Sequence, residues 1–259
     1  MLRAQLVVAI LVGLLAFTVI AGAAPGHLEG YLPSAAHTPG LFGSFWTTDV
    51  WIYQQGASTI HLWFNRTGQD NTNAESVVVT LTDPVTALRD VVTTVFGTDG
   101  VGSIHYLADG PVTVTSRTWT SAQGGGSYGQ TIAGVPVSEA SLPGSGQAGA
   151  LRATVDQAAH FRANLGLVNI SGVATTVSVE IFTADGGVAP GDSSFTVELQ
   201  PYGMRQLNDV LARLVPGDRQ GLIVRTSVVS AQGAILSYLS EVDNRTNDAS
   251  YQEAFRFGY

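Results

Sequence analysis

Cysteine and lysine are both missing from this 259-residue chain, and each absence removes a class of chemistry. Without cysteine, neither disulfides nor thiolate metal sites can hold the fold, although an exported chain could have used them. Stability must come from buried apolar area. With arginine as the only long basic side chain, Schiff-base chemistry and the Ser-x-x-Lys hydrolase motif are excluded. Charge is sparse, at 12% of residues, and 20 acidic residues face 12 basic ones for a formal net charge of −8. That sign disfavours nucleic acid and anionic lipid as partners. Beyond residue 20, no apolar run is long enough to span a bilayer as a helix.

The first residues read as an export signal. Arg3 supplies the positive start, Leu6 to Ile20 is a nearly unbroken apolar run, and Ala21-Gly22-Ala23 is a small-x-small cleavage site, so residues 1–23 are expected to be a signal peptide. A retained anchor is the alternative, since the run approaches spanning length. The small-residue exit followed by Pro25-Gly26 favours cleavage and a secreted or cell-envelope protein. The remaining chain, rich in Gly, Thr, Ser and Val, has the balance of short strands joined by turns, with material for two domains.

The two halves align with each other. Asp49-Val50-Trp51-Ile52 matches Asn164-Leu165-Gly166-Leu167, Ile60 to Phe64 matches Val177 to Ile181, and Ser76 to Leu81 matches Ser194 to Leu199. Leu88 to Val92 then meets Leu207 to Leu211, and Ser127-Tyr128 meets Ser250-Tyr251. The offset grows from 115 (Asp49 to Asn164) through 118 (Ser76 to Ser194) to 123 (Ser127 to Ser250), so the insertions fall in connections, as a duplicated fold tolerates. Ile60, Leu62 and Phe64 alternate with polar or outward positions, as do Val177, Val179 and Ile181, which is strand periodicity with one face on a core. Leu88, Val91, Val92 and Val95, with Leu207, Val210, Leu211 and Leu214, fall at helical spacing and predict one short helix per copy. The expected organisation is a first module over 24–137, a Gly-rich linker over 138–150 and a second module over 151–259. The expected fold is all-β: two tandem sandwiches of immunoglobulin-like or jelly-roll type.

Val114 to Trp119 followed by Gly126-Ser127-Tyr128-Gly129-Gln130, together with Phe161 to Asn169 and Glu241 to Asp248, resemble a widespread group of secreted bacterial tandem-repeat proteins. The resemblance covers nearly the whole mature chain. It implies Ig-like sandwiches and export, and it implies no catalytic residue. Where that group often continues into a Pro before the Tyr, this chain has Ala249-Ser250-Tyr251.

Gly125-Gly126-Ser127-Tyr128-Gly129 fits the G-x-S-x-G nucleophile elbow, but a Gly-rich turn here leads into another strand, and the matching Asp248 to Gln252 keeps Ser-Tyr without the glycines. The G-x-G-x-x-G of Gly124, Gly126 and Gly129 lacks a βαβ context. His27, His37, His61, His105 and His160 show no zinc spacing. Asp243, Asn247 and Asp248 supply oxygen ligands that calcium prefers, against the plainer reading that Asx residues cap a turn. No other cofactor is expected. Asn65-Arg66-Thr67, Asn169-Ile170-Ser171 and Asn244-Arg245-Thr246 have the form of glycosylation sequons.

The copies differ most at four outward positions: Trp51, Tyr53, His61 and Trp63 in the first, against Gly166, Val168, Ser178 and Glu180 in the second. Alternation predicts these aromatics together on one face, covered either internally or by a glycan or protein partner. The expected function is a non-enzymatic structural, adhesion or binding module pair. A carbohydrate-binding module and a hydrolase with a dispersed site are the alternatives.

Overall fold

The computed structural model describes residues 26–122, 124–151, 161–215 and 221–257, so the expected signal peptide lies outside the described residues. In the first module the strands are β1 (His27–Pro39), β2 (Phe45–Gln54), β3 (Thr59–Arg66), β4 (Ser76–Thr80), β5 (Val85–Leu88), β6 (Gly100–Ser121), β7 (Ser127–Ala133) and β8 (Val135–Pro136). In the second they are β9 (Gly146–Leu151), β10 (Phe161–Asn169), β11 (Thr175–Phe182), β12 (Ser194–Leu199), β13 (Met204–Leu207), β14 (Leu222–Val228), β15 (Ile235–Asp243), β16 (Ala249–Glu253) and β17 (Phe255–Phe257).

Among the described residues the named strands pair antiparallel, with one isolated parallel bridge from Thr67 to Met204, and both halves pair in the same order. One layer of the first module runs β4-β3-β6-β1 and the other β5-β2-β6-β7, because the first half of β6 pairs with β3 and β1 and its second half with β2 and β7. The second module runs β12-β11-β14-β9-β17 and β13-β10-β15-β16. There the long strand is divided into β14 and β15 by residues 229–234, where Gly233 takes φ 130°, a conformation that favours glycine.

Alternation sends one face of each strand inward. Ile52, Ile60, Leu62 and Ile104 fill the first core, and Leu167, Val177, Val179 and Val224 occupy the matching places in the second. Each such side chain contributes about 1.5–3 kcal/mol when fully buried, so in a chain without disulfides these cores carry the fold.

The helical expectation is corrected in extent. Leu88 and Leu207 end strands β5 and β13, and only Val91–Thr94 forms an α-helical turn, with a 3₁₀ turn at Val210–Arg213. Between strand and turn, Asp90 and Asp209 adopt left-handed conformations, φ 46° and 47°. Their backbone N–H groups donate to Asp49 Oδ1 (2.9 Å) and Asn164 Oδ1 (3.1 Å). The i, i+3, i+4, i+7 pattern therefore spans a strand end, a kink and one turn rather than a continuous helix.

The linker expectation is corrected as well. Within 138–150, Ser141 is fully buried and bridges Ile235, and from Gly146 the chain is β9, paired along β14. Main-chain hydrogen bonds make this strand. Its Gly- and Ala-rich sequence carries no alternating pattern that could announce it. Gln147, 2% exposed, ties the two layers together: its Oε1 accepts from Ser237 N (2.7 Å) and Oγ (2.8 Å), and its Nε2 donates to Glu139 O (2.8 Å).

The modules share a third core. Tyr31 and Val135 of the first pack with Val168, Met204, Leu236 and Tyr238 of the second, all 2% exposed or less. Gly68 N to Met204 O (3.0 Å) and Asn71 N to Pro201 O (3.0 Å) extend the contact along the backbone. Apolar burial on that scale fixes the relative position of the two modules.

Candidate functional site

Trp51 and Tyr53 alternate with the core residues Val50 and Ile52, and His61 and Trp63 with Ile60, Leu62 and Phe64, so all four point outward. They do not form one cluster. β2 and β3 belong to different layers, which puts Trp51 and Tyr53 on one side of the sandwich and His61 and Trp63 on the other. Alternation fixes inside against outside; the crossing between layers, made by the short connection after Gln54, is a tertiary event it cannot report.

On the β3 side the rings form a ladder. Trp63 sits opposite His105 and His105 opposite Tyr31, with centroids 4.7 and 4.5 Å apart, while His61 stacks on Trp63 at 5.8 Å. His105 Nε2 lies 2.9 Å from Glu29 Oε1. Burial between the two rings holds the imidazole pKa below its ordinary value, and the Glu29 carboxylate opposes that shift. Tyr31, 1% exposed and part of the shared core, anchors one end. Within this ladder the faces of Trp63 and His105 are taken up by neighbouring rings of the first module, and Tyr31 of the N-terminal strand closes its buried end. Phe255, 70% exposed, contributes nothing to that cover, and Tyr259 lies outside the described residues.

The β2 side is open. Tyr53 is 47% exposed beside exposed Val85 and Thr113. Trp51 is half-buried beneath Arg89, whose guanidinium lies 5.0 Å from the ring centroid and pairs through Nη1 with Asp49 Oδ2 at 2.8 Å. Trp119 Nε1 donates to the same oxygen at 3.3 Å. Two indoles, a phenol ring, an arginine and threonine hydroxyls thus share one face of the layer, with groups for stacking and hydrogen bonding. Arg89 and Asp49 had no signal in sequence, because 40 residues separate them and the register of β2 on β5 brings them together.

At the matching positions of the second module everything is sealed. Gly166, Val168, Met204, Leu236 and Tyr238 stand where the first has Trp51, Tyr53, Val85, Thr113 and Thr115, and that face is turned onto the first module.

Ser127 opens β7 after Gly124, Gly125 and Gly126, all at positive φ, in a strand-turn-strand hairpin. Its Oγ accepts a hydrogen bond from Arg117 Nη2 (2.8 Å), where an activated nucleophile would donate to a base. His37 is bracketed by Asp90 Oδ1 (2.8 Å) and Asp99 Oδ1 (3.5 Å), a grouping sequence did not suggest. The Asp243–Asp248 loop closes on itself: Asp243 Oδ1 accepts from Arg245 N (2.7 Å) and Asp243 O from Asn247 N (2.8 Å). Among the described residues, no group of three or more His, Asp or Glu is placed to hold a metal ion. Among them, too, no helix is long and apolar enough to cross a membrane. His160 lies outside the described residues.

Neither models of known protein families nor curated proteins give a match to this sequence.

Proposed function

We propose that the protein is an exported, non-catalytic pair of duplicated Ig-like modules of the bacterial cell surface or extracellular space. In this reading the second module braces the first, and the open β2 side of the first binds a polysaccharide. The observation that carries it is the unequal fate of equivalent faces: Val168 and Met204 are sealed at the junction, whereas Tyr53 and Val85 are 47% and 53% exposed. Flat rings stack on the C–H faces of sugars, and Arg89 with the threonine hydroxyls offers hydrogen bonds to ring substituents. A net charge of −8 keeps nucleic acid out of consideration.

Retention of the purified chain on insoluble cell-wall polysaccharides tests this. Tyr53→Ala should lose retention with melting unchanged, since surface substitutions cost within about 0.5 kcal/mol. Trp63→Ala, on the laddered side, should melt earlier and still be retained. Retention of Tyr53→Ala at the parent level, or no retention of the parent on any polysaccharide, sinks the proposal.

A further inference from the structure

Between the modules lies a cavity of about 220 Å³. The first module contributes the Trp46 ring and Gln130; the second contributes Arg162, Asn164, Asn208 and Ser240. Cavities at domain junctions are favoured ligand sites when a few polar groups converge in an otherwise apolar wall.

Its side-chain amides are engaged in one direction, beside the hydroxyls of Ser34, Thr38, Thr118 and Ser240. Asn164, 6% exposed, has its Oδ1 engaged by the backbone N–H of Asp209 at 3.1 Å. Gln130 Oε1 accepts from Ser240 Oγ at 2.9 Å, and Asn208 Oδ1 accepts from Gln206 Nε2 at 2.8 Å. The amide oxygens are therefore satisfied within the protein, and the amide nitrogens of Asn164, Gln130 and Asn208 remain as donors. Arg162 adds a positive charge at 9% exposure. Its Nη1 donates to the neutral amide oxygen of Asn244, and Asp209 acts on it only at longer range. Burial pulls the Arg162 pKa down and pushes that of Asp209 up, and the attraction between the two opposes both shifts.

Three amide donors and a buried guanidinium beside an indole ring match a planar anion carried on a compact ring. The geometry points to a binding site for one acidic sugar residue, its carboxylate held by Arg162 and the amides and its ring lying against Trp46. Arginine presents parallel N–H groups to a carboxylate, a fit a neutral sugar cannot use. A free uronic acid and the terminal residue of an acidic polysaccharide share this chemistry. The cavity is separate from the Tyr53 side and stands or falls independently of it.

Calorimetry on the mature chain with D-glucuronate, D-glucose, inorganic phosphate and an oligogalacturonide provides the test. Glucuronate should bind saturably and raise the melting temperature, and glucose should do neither. Arg162→Gln should weaken glucuronate at least tenfold. Asn208→Asp, at the exposed rim, should do the same by repulsion while leaving the ligand-free melting point in place, and it decides the matter if Arg162→Gln does not fold. Tighter binding of the oligomer than of the monomer assigns a polymer end; equal binding assigns the free acid. The proposal is overturned by the absence of saturable glucuronate binding, by equal affinity for glucose, by tighter binding of phosphate, or by parent-level binding in Asn208→Asp.

Discussion

Trp51 faces Thr115 across β2 and β6 in the first module; at the matching pair of the second, Gly166 faces Tyr238, so the large and small side chains have exchanged strands. Inside, the cores of the two modules are built from the same kinds of residue in the same order. Outside, each position has followed its neighbour. Tyr238 can lie flat over Gly166 only because there is no Cβ beneath it, and in that posture it packs into the shared core; Trp51 instead lies under Arg89 in contact with solvent. Interior pattern specifies the fold, and the exterior records what each module touches.

Core truncation should break the comparison most strongly. Ile52→Ala and Leu167→Ala remove matching side chains, each fully buried, and each should cost about 2–5 kcal/mol in chemical denaturation. If the shared core couples the modules, either variant shifts one common transition; two separate transitions would show that the junction does not transmit stability.

Next is the exchange of large and small residues. A Cβ built on Gly166 would stand 1.9 Å from the Tyr238 ring, so Gly166→Trp should cost about 3 kcal/mol through overpacking at the junction. Adding Tyr238→Thr, which recreates the first module's pairing, should recover at least about 1 kcal/mol. Strict additivity of the two changes in a double-mutant cycle would argue against a matched pair.

The smallest effect is a pH dependence. Trp63 and His105 in the first module are matched by Glu180 and Arg225 in the second, an ion pair with Nη2 and Oε2 2.5 Å apart. His105 has a folded pKa below the ordinary value of about 6.5. The fold therefore favours neutral imidazole: its contribution is complete above that pH and is lost as the pH falls through it. Glu253, whose carboxyl is raised by burial, works with the opposite sign and in the second module. The difference between the parent and His105→Gln isolates the histidine, and the parent should lose more melting temperature than the variant between pH 7 and pH 5. Parallel pH profiles for the two proteins would remove His105 from the account.

Sequence made the inward and outward positions legible because a period of two is local: Ile60, Leu62 and Phe64 needed only one another to declare their face. Layer membership was illegible. The chain between Gln54 and Thr59 gives no sign that it crosses the sandwich, so the pair Trp51 and Tyr53 could not be separated from His61 and Trp63. β9 was illegible for the opposite reason: its pairing rests on main-chain groups that every residue carries. The junction cavity draws its walls from residues 34–46, 101–130, 162–208 and 240–249, and the oxygens of Asn164 and Gln130 are taken by partners 45 and 110 residues along the chain.

Considered mechanically, β6 is a beam. Its 22 residues have a contour length of roughly 70 Å, and both layers of the first module hang from it without a break. The covalent chain of β6 joins the two layers, and the pairing of β1 with β2 at Thr38–Trp46 and Pro39–Phe45 adds a hydrogen-bonded link between them. In the second module the beam is cut between β14 and β15. One continuous strand thus serves both layers of the first module, where in the second six residues stand between its two halves.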